Sequence, residues 1–122
     1  MTTGLLWVAA GGALGASARY LVSGWMQTHS QFPWGSLTIN IAGSLCIGLA
    51  WGSWSQLAWF HEWGRAFLVV GLLGGFTTFS AFSLETLVLL HTNRFGAALG
   101  YVLASVVGCL VAAWFGQRLT SV

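Results

Sequence analysis

The chain has 122 residues, of which only four arginines and two glutamates are charged, or 5% of the total. In a soluble domain about 25% of the residues are charged. The chain is also 57% hydrophobic with a mean hydropathy of +0.80, and this composition excludes a soluble domain. The arginines are scattered, which excludes the basic patch of a nucleic-acid-binding protein. We therefore expect an all-α membrane protein with a single transmembrane domain over residues 1–122.

Four apolar windows have the ~20 residues that a helix needs to cross the hydrocarbon; they cover 4–25, 35–60, 64–90 and 95–117. Residues 1–6 carry no basic side chain, so we expect a retained first helix and not a cleaved signal peptide. Short connectors make consecutive helices antiparallel. Tryptophans anchor at membrane interfaces, and four mark the predicted ends: Trp25, Trp34, Trp59 and Trp63. The connectors also hold histidines that we interpret as solvated loop residues and not as pH sensors: His29, His61 and His91.

Small residues recur at every fourth position on three predicted helices. Helices in lipid pack through such residues because they let the backbones approach closely. The spacing therefore predicts tight packing and by itself no function. The first helix contributes Gly11 and Gly15, the second Ser44, Gly48 and Gly52, and the last Gly96, Gly100, Ala104, Gly108, Ala112 and Gly116. Both cysteines, Cys46 and Cys109, are interpreted as small buried apolar residues.

The arginines are balanced across the membrane. Four crossings place Arg65 and Arg118 on the side of the termini, and Arg19 and Arg94 on the opposite side. An excess of Lys and Arg on the cytoplasmic side normally sets orientation, and here that excess is zero. We therefore expect dual topology, in which copies insert both ways up and pair as an antiparallel homodimer. Because four helices fill their own centre, a two-fold interface offers room for polar paths.

The third segment contains a sequence that is poorly suited to a helix in mid-membrane, with Gly74-Gly75 followed by Thr77-Thr78. Each glycine costs about 1 kcal/mol in a helix interior. A broken helix is tolerated at this depth where protein or a cavity satisfies the freed backbone groups, and such carbonyls coordinate cations in transporters. We expect a break here; a continuous close-packed glycine crossing is the alternative.

Polar side chains form stripes along the predicted helices. They are rich in hydrogen-bond donors, and the electropositive edges of Phe79 and Phe82 add to them. A lane of donors with Glu85 as its only acid favours a small anion over a cation, and fluoride gains most from strong donors. The stripes comprise Asn40, Ser44, Phe79, Phe82, Ser83, Thr86, Tyr101, Ser105 and Cys109.

At these residues the chain closely resembles the Fluc (CrcB) family of fluoride channels. The resemblance rests on four segments, one per helix and in family order: Gly11–Tyr20, Trp34–Asn40, the Gly-Gly-Phe-Thr-Thr-Phe-Ser-Ala-Phe-Ser stretch of Gly74–Ser83 with Glu85, and Tyr101 with Ser105. It implies a dual-topology antiparallel homodimer in the inner (plasma) membrane. Two pores at the interface of such a dimer would carry fluoride passively out of the cytoplasm, with no enzymatic step.

The resemblance also implies roles for single residues. A central sodium ion would be held by the carbonyls of Gly74 and Thr77 from both subunits. Asn40 would donate to fluoride, and Arg19 would attract anions toward the vestibule. Phe79 and Phe82 would line the pore with ring edges, beside a polar track of Glu85, Tyr101 and Ser105 flanked by Ser83 and Thr86. The chain departs from the family pattern at Cys109 and Ala113, where hydroxyl residues are common, and at Ser36, where threonine is frequent.

Two other functions fit parts of the pattern. Small proton-coupled drug exporters also have four helices and dual topology, but they carry protons on a glutamate of the first helix, where this chain has Arg19 and no acid. A non-transporting membrane scaffold would suit the small-residue series and would leave the donor stripes without a purpose.

Overall fold

The computed structural model describes residues 2–26 and 30–121, so His29 lies outside the described residues. Within these ranges four helices are long and apolar enough to cross a membrane, which confirms the predicted all-α membrane architecture at that level. We name them the first, second, third and fourth helix in chain order. Their bounds are Thr2–Trp25, Trp34–Trp54, Phe60–His91 and Phe95–Thr120.

The predicted end of the second helix is wrong by several residues. The helix ends at Trp54, where the Ser55 amide donates to the Trp51 carbonyl at 3.1 Å, and Phe60 already begins the third helix. The connector is therefore 55–59 and not 61–63. Aromatic residues are as apolar in a turn at the membrane interface as in a helix, and hydropathy alone does not separate the two. In this turn the rings of Trp54 and Trp59 lie 5.5 Å apart.

The third helix is not uniform along its length. Phe60–Leu73 winds as a π-helix, Gly74–Phe76 continues as α-helix, and Phe79–His91 is α-helical again. Between them, Thr77 (φ −86°, ψ 159°) and Thr78 (φ −153°, ψ 119°) have extended backbone. We call these two residues the extended pair. The Thr78 hydroxyl caps the following segment by accepting from the Ala81 amide at 3.1 Å, as threonine commonly does at a helix start.

Glycines of the first helix interlock with those of the π-helical segment. A Cβ on Gly11 would lie 2.8 Å from the Leu72 amide nitrogen, and one on Gly71 would lie 2.8 Å from the Val8 carbonyl. Gly75 faces Gly12 in the same way. These neighbours are backbone atoms that cannot swing aside, so only glycine permits this distance between the two helices.

The second and fourth helices form the other close pair. A Cβ on Gly48 would lie 2.9 Å from the Gln117 amide nitrogen, and one on Gly116 would lie 2.9 Å from the Leu49 amide nitrogen. Gly96 and Gly100, by contrast, have nothing within 4 Å. The prediction that small residues of the fourth helix pack closely against another helix is therefore wrong, within this chain, for Gly96 and Gly100. There the helix buries its opposite face, with Tyr101 fully enclosed, against the end of the third helix.

A methyl group at Gly15 is expected to destabilise the fold. Its Cβ would lie 2.8 Å from the Phe76 amide nitrogen and closer still to the Leu72 carbonyl. Overpacking of this kind costs about 1–3 kcal/mol, so Gly15→Ala should lower the midpoint of thermal unfolding measured in detergent. Gly4→Ala, in the same helix but with open space around it, is the control and should leave that midpoint unchanged or higher. Equal midpoints for both variants would contradict this packing.

Candidate functional site

The extended pair is held by the side chain of Asn40. The Thr78 amide donates to Asn40 Oδ1 at 2.9 Å, and Asn40 Nδ2 donates to the Thr78 carbonyl at 3.2 Å. Asn40 is only 9% exposed, and an unpaired amide at such a site would be costly. The side chain therefore replaces the helical hydrogen bonds that Thr78 does not make. An amide nitrogen carries two hydrogens, and the bond to Thr78 uses one of them.

Two further contacts hold the backbone next to the extended pair. The Thr77 amide and hydroxyl both donate to the Leu73 carbonyl at 2.9 Å, which closes the preceding helical turn. Arg19 Nε donates to the Gly75 carbonyl at 3.1 Å. The half-buried guanidinium thus places a positive charge beside the extended pair while its other N–H groups keep their donor capacity.

Two carbonyls lose their helical partners through these bonds. In a continuous helix the Thr78 amide would donate to the Gly74 carbonyl and the Ala81 amide to the Thr77 carbonyl. Here the first donates to Asn40 and the second to the Thr78 hydroxyl. Gly74 is exposed and Thr77 is half-buried. The family resemblance implies a sodium site at these two carbonyls, and freed carbonyls at helix breaks are the type of ligand that alkali cations take.

Three aromatic rings form a row from the surface to the interior. Phe79 is 77% exposed, and its ring centroid lies 5.3 Å from that of Phe82. The Phe82 ring in turn lies 5.2 Å from Tyr101, which is fully buried. The rings are tilted by 56° and 53°. The hydrogen-bearing edges are the electropositive part of each ring.

The Glu85 carboxylate accepts two hydroxyl hydrogens. Ser36 Oγ donates to Oε1 and the Tyr101 hydroxyl donates to Oε2, each at 2.7 Å. Hydrogen bonds to an ionised group are stronger than those between neutral groups. The two bonds to Glu85 link the second, third and fourth helices. The carboxylate is therefore stabilised by neutral donors, and the Ser36 and Tyr101 hydroxyl hydrogens point at Glu85.

Ser83 and Thr86 do not supply the free hydrogen-bond donors that their sequence positions predict. Ser83 Oγ donates to the Phe79 carbonyl at 3.0 Å and Thr86 Oγ1 to the Phe82 carbonyl at 2.8 Å, each four residues back along the same helix. Hydroxyls in helices commonly make this bond. It uses the only hydroxyl hydrogen, so neither side chain supplies a free donor in this arrangement.

A cavity of about 380 Å³ lies where these elements meet. It brings together most of the predicted pore and sodium residues: Asn40, Gly74, Thr77, Phe79, Phe82 and Ser105. Arg19, Ser83, Glu85, Thr86 and Tyr101 lie outside its lining. Ser105 is 6% exposed, and its Oγ has no hydrogen-bond partner among the described residues. Buried hydroxyls nearly always have a partner, so Ser105 is an exception among the described residues.

Sequence reasoning missed Thr78 as a site residue. Its backbone amide and carbonyl bond to Asn40, and its hydroxyl caps the helical segment that begins at Phe79. Thr78 therefore connects the second helix to the last segment of the third helix. A threonine immediately ahead of an apolar helical run is a recognisable cap signal. Ser44, which shares a helix face with Asn40, and Cys109 also line the cavity.

Removal of the Asn40 amide is expected to loosen the extended pair. Asn40→Ala leaves the Thr78 amide and carbonyl without partners, at about 1–3 kcal/mol for each buried group. Hydrogen exchange followed by mass spectrometry should show faster exchange in peptides covering residues 74–82. Ser44→Ala, one turn further along the same helix, is the matched control and should exchange like the parent protein. Unchanged exchange in Asn40→Ala would show that the bonds to Thr78 do not hold this segment.

Known proteins resemble the chain over nearly its whole length. Residues 6–117 match the family described as CrcB-like protein, Camphor Resistance (CrcB). A Fluoride-specific ion channel FluC of Opitutus terrae is 46% identical, covering 92% of this chain and 88% of the relative. Proteins of the same name from Methylocella silvestris (44% identical; 92% and 88% covered) and Anaeromyxobacter sp. (48%; 94% and 93%) are similarly close. The chain therefore belongs to the CrcB-like family.

Proposed function

We propose that this protein is a fluoride-selective channel through which fluoride leaves the cytoplasm down its gradient, across the inner (plasma) membrane. The observation that carries the proposal is the mostly apolar cavity at the extended pair, whose polar side chains, Asn40 and Ser105 among them, carry hydrogen-bond donors and no carboxylate. The names of the relatives, Fluoride-specific ion channel FluC, support the same function. Passive conduction makes and breaks no covalent bond, so the protein is a transporter and not an enzyme.

The groups around the cavity suit a small anion. Asn40 keeps one N–H beyond the one bonded to Thr78, and Ser105 offers an O–H. Phe79 and Phe82 add electropositive ring edges. No carboxylate is among the residues that line the cavity. Such a set of neutral donors favours anions, and fluoride, the smallest halide, accepts the strongest hydrogen bonds.

Charged groups near the cavity have supporting roles in this proposal. The Glu85 carboxylate is occupied by the hydroxyls of Ser36 and Tyr101, which limits its repulsion of a passing anion and lets these residues continue the polar track. Ser83 and Thr86 flank the track. Arg19, beside the Gly75 carbonyl, contributes a positive potential that draws anions toward the vestibule.

A second copy of the chain is expected to complete the pores. Phe79 lies at the cavity and is 77% exposed, and the glycines at 96 and 100 leave an open apolar face on the fourth helix. The balanced arginines favour insertion in both orientations. We therefore propose a dual-topology antiparallel homodimer with two pores at its interface.

A sodium ion at the centre of that dimer would fit the helix break in mid-membrane. The Gly74 and Thr77 carbonyls have lost their helical partners, since the amides that would bind them are used by Asn40 and Thr78. Oxygen ligands of this kind suit a hard cation. When bound, the ion would supply positive charge that offsets the repulsion between these carbonyls and those of the partner copy.

The two rival functions leave observations unexplained. A proton-coupled drug exporter of this size depends on an acid in the first helix, whereas both acids of this chain, Glu62 and Glu85, lie in the third helix. A non-transporting scaffold gives no reason for a cavity beside Asn40 and the extended pair, or for a buried Ser105 hydroxyl that has no partner among the described residues.

Purified protein in liposomes is expected to release fluoride and to retain chloride. The assay uses a fluoride electrode, sodium-containing buffer and chloride as the control ion. Absence of fluoride efflux under these conditions would remove the proposed function. Chloride efflux at a comparable rate would remove the selectivity.

Substitution at the pore should abolish that flux. Phe79→Ile removes the ring edges, and Asn40→Asp replaces a donor by an acceptor that repels both the Thr78 carbonyl and an anion. Fluoride efflux should fall to the level of empty liposomes, while size-exclusion chromatography still shows a dimer. Leu84→Ile, an exposed apolar change in the same half of the third helix, is the control that should conduct normally. Full flux through Phe79→Ile would place that ring outside the pore.

The C-terminus is expected on both sides of the membrane. Two reporters fused after the last residue, one active only in the cytoplasm and one active only outside it, should both give signal. Addition of two arginines near Arg118 should bias the population, because an excess of positive charge then exists. Signal from only one reporter in the unmodified chain would contradict dual topology.

A further inference from the structure

We propose that two arginines at one end of the molecule bind the phosphate groups of anionic phospholipids, and that tryptophan rings hold both side chains in position. This is the end at which the first helix begins and the fourth helix ends. Arg65 lies near the start of the third helix and Arg118 near the end of the fourth. Each stands beside a tryptophan, Trp51 and Trp114 respectively. We call these four residues the arginine–tryptophan site. Binding of lipid there needs no ion transport.

Each guanidinium group of the site lies over an indole ring. The central carbon of the Arg65 guanidinium is 5.8 Å from the centroid of the Trp51 ring, and that of Arg118 is 5.5 Å from the centroid of Trp114. A cation within about 6 Å of the centroid is attracted to the face of an aromatic ring. Both arginines and both tryptophans are exposed. The contacts therefore restrict two long side chains without enclosing them.

The positive charges of the site are not neutralised by the protein. Neither Arg65 nor Arg118 has a side-chain hydrogen bond or an ion pair within residues 2–26 and 30–121. Glu62, the acid nearest to Arg65 in sequence, is exposed and pairs with neither arginine in those ranges. A guanidinium carries five N–H donors in a planar fork that matches two oxygens of a phosphate. These donors are therefore available to such an anion.

The end of the second helix brings the two arginines into one region. Arg65 contacts Trp51, and the next residue, Gly52, faces the fourth helix: a Cβ there would lie 2.8 Å from the Gln117 carbonyl. Arg118 directly follows Gln117. The two positive charges therefore lie close to the same helix end, although they come from the third and fourth helices.

The site lies at the depth of lipid headgroups. Tryptophan is enriched where a membrane meets water, and six of the eight tryptophans belong to this end of the helices. They are Trp7, Trp51, Trp54, Trp59, Trp63 and Trp114. Phosphate is the anionic group that phospholipids place at this depth, and a lipid with net negative charge is attracted by basic side chains. In phosphatidylcholine the adjacent choline cation opposes that attraction.

The opposite end offers a comparison within the same chain. Arg94 precedes the fourth helix, is exposed, and has no ring contact or side-chain hydrogen bond among the described residues. Arg19 already donates from its Nε to the Gly75 carbonyl. Arg94 is therefore an arginine of equal charge without a tryptophan beneath it, and it serves as the matched control.

Native mass spectrometry of the purified protein in neutral detergent tests the site. Phosphatidylglycerol and phosphatidylcholine are titrated separately, and the fraction of chains that carry lipid gives an apparent Kd. The parent protein is compared with Arg65→Gln/Arg118→Gln, with Arg65→Lys/Arg118→Lys and with Arg94→Gln. All three arginines are exposed, so each variant should keep the parental midpoint of thermal unfolding without lipid. Detergent solution also removes any effect of orientation in a membrane.

We expect the parent protein and Arg94→Gln to bind phosphatidylglycerol equally, and more tightly than phosphatidylcholine. The glutamine variant should lose affinity by about fivefold per arginine, the contribution of one basic side chain at an anionic surface. The lysine variant, which lacks the planar fork, should lie between the two. Unchanged affinity of the glutamine variant would overturn the site. An equal loss in Arg94→Gln, or full affinity in the lysine variant, would reduce it to general charge attraction and overturn the role of the tryptophans. Displacement of the lipid by an equal concentration of inorganic phosphate would assign the site to a soluble anion instead.

Discussion

The structure depends on the need to satisfy backbone hydrogen bonds in a medium that offers none. Thr77 and Thr78 have extended backbone within a helix long and apolar enough to span a membrane. Lipid supplies no donors or acceptors, so irregular backbone persists there only where protein or a cavity pairs its polar groups. The Asn40 side chain pairs both the amide and the carbonyl of Thr78. Arg19 pairs the Gly75 carbonyl, and the Thr78 hydroxyl pairs the Ala81 amide.

The close helix packing follows from this requirement. An asparagine side chain is short, so the second helix has to approach the extended pair closely, and a Cβ at Gly43 would run into the Thr77 methyl group. The first helix approaches through Gly15, next to the Phe76 amide. Small residues in membrane helices permit such distances. The glycines therefore act on function indirectly, by letting two polar side chains reach the freed backbone.

Polar groups around the cavity differ in how far their hydrogen bonds are already satisfied. Ser83 and Thr86 bond within their own helix, and Ser36 and Tyr101 bond to Glu85. Ser105 has no partner among the described residues. A group that is already paired gains little from an ion, whereas an unpaired buried donor gains a full hydrogen bond. This difference, and not the number of polar residues, sets the Ser105 hydroxyl apart from the other polar groups around the cavity.

The sequence by itself determined the membrane class, the four helices, and the position of the unusual glycine–threonine segment. These depend on local composition, since apolar length and glycine content act along the chain. It placed the end of the second helix wrongly because aromatic residues are equally apolar in a turn at the interface. The tertiary structure alone decided that Asn40 bonds to Thr78, that the Glu85 carboxylate is occupied by two hydroxyls, and that the Ser105 hydroxyl has no partner within residues 2–26 and 30–121. Each of these depends on atoms from helices far apart in sequence, and no local pattern specifies which donor meets which acceptor.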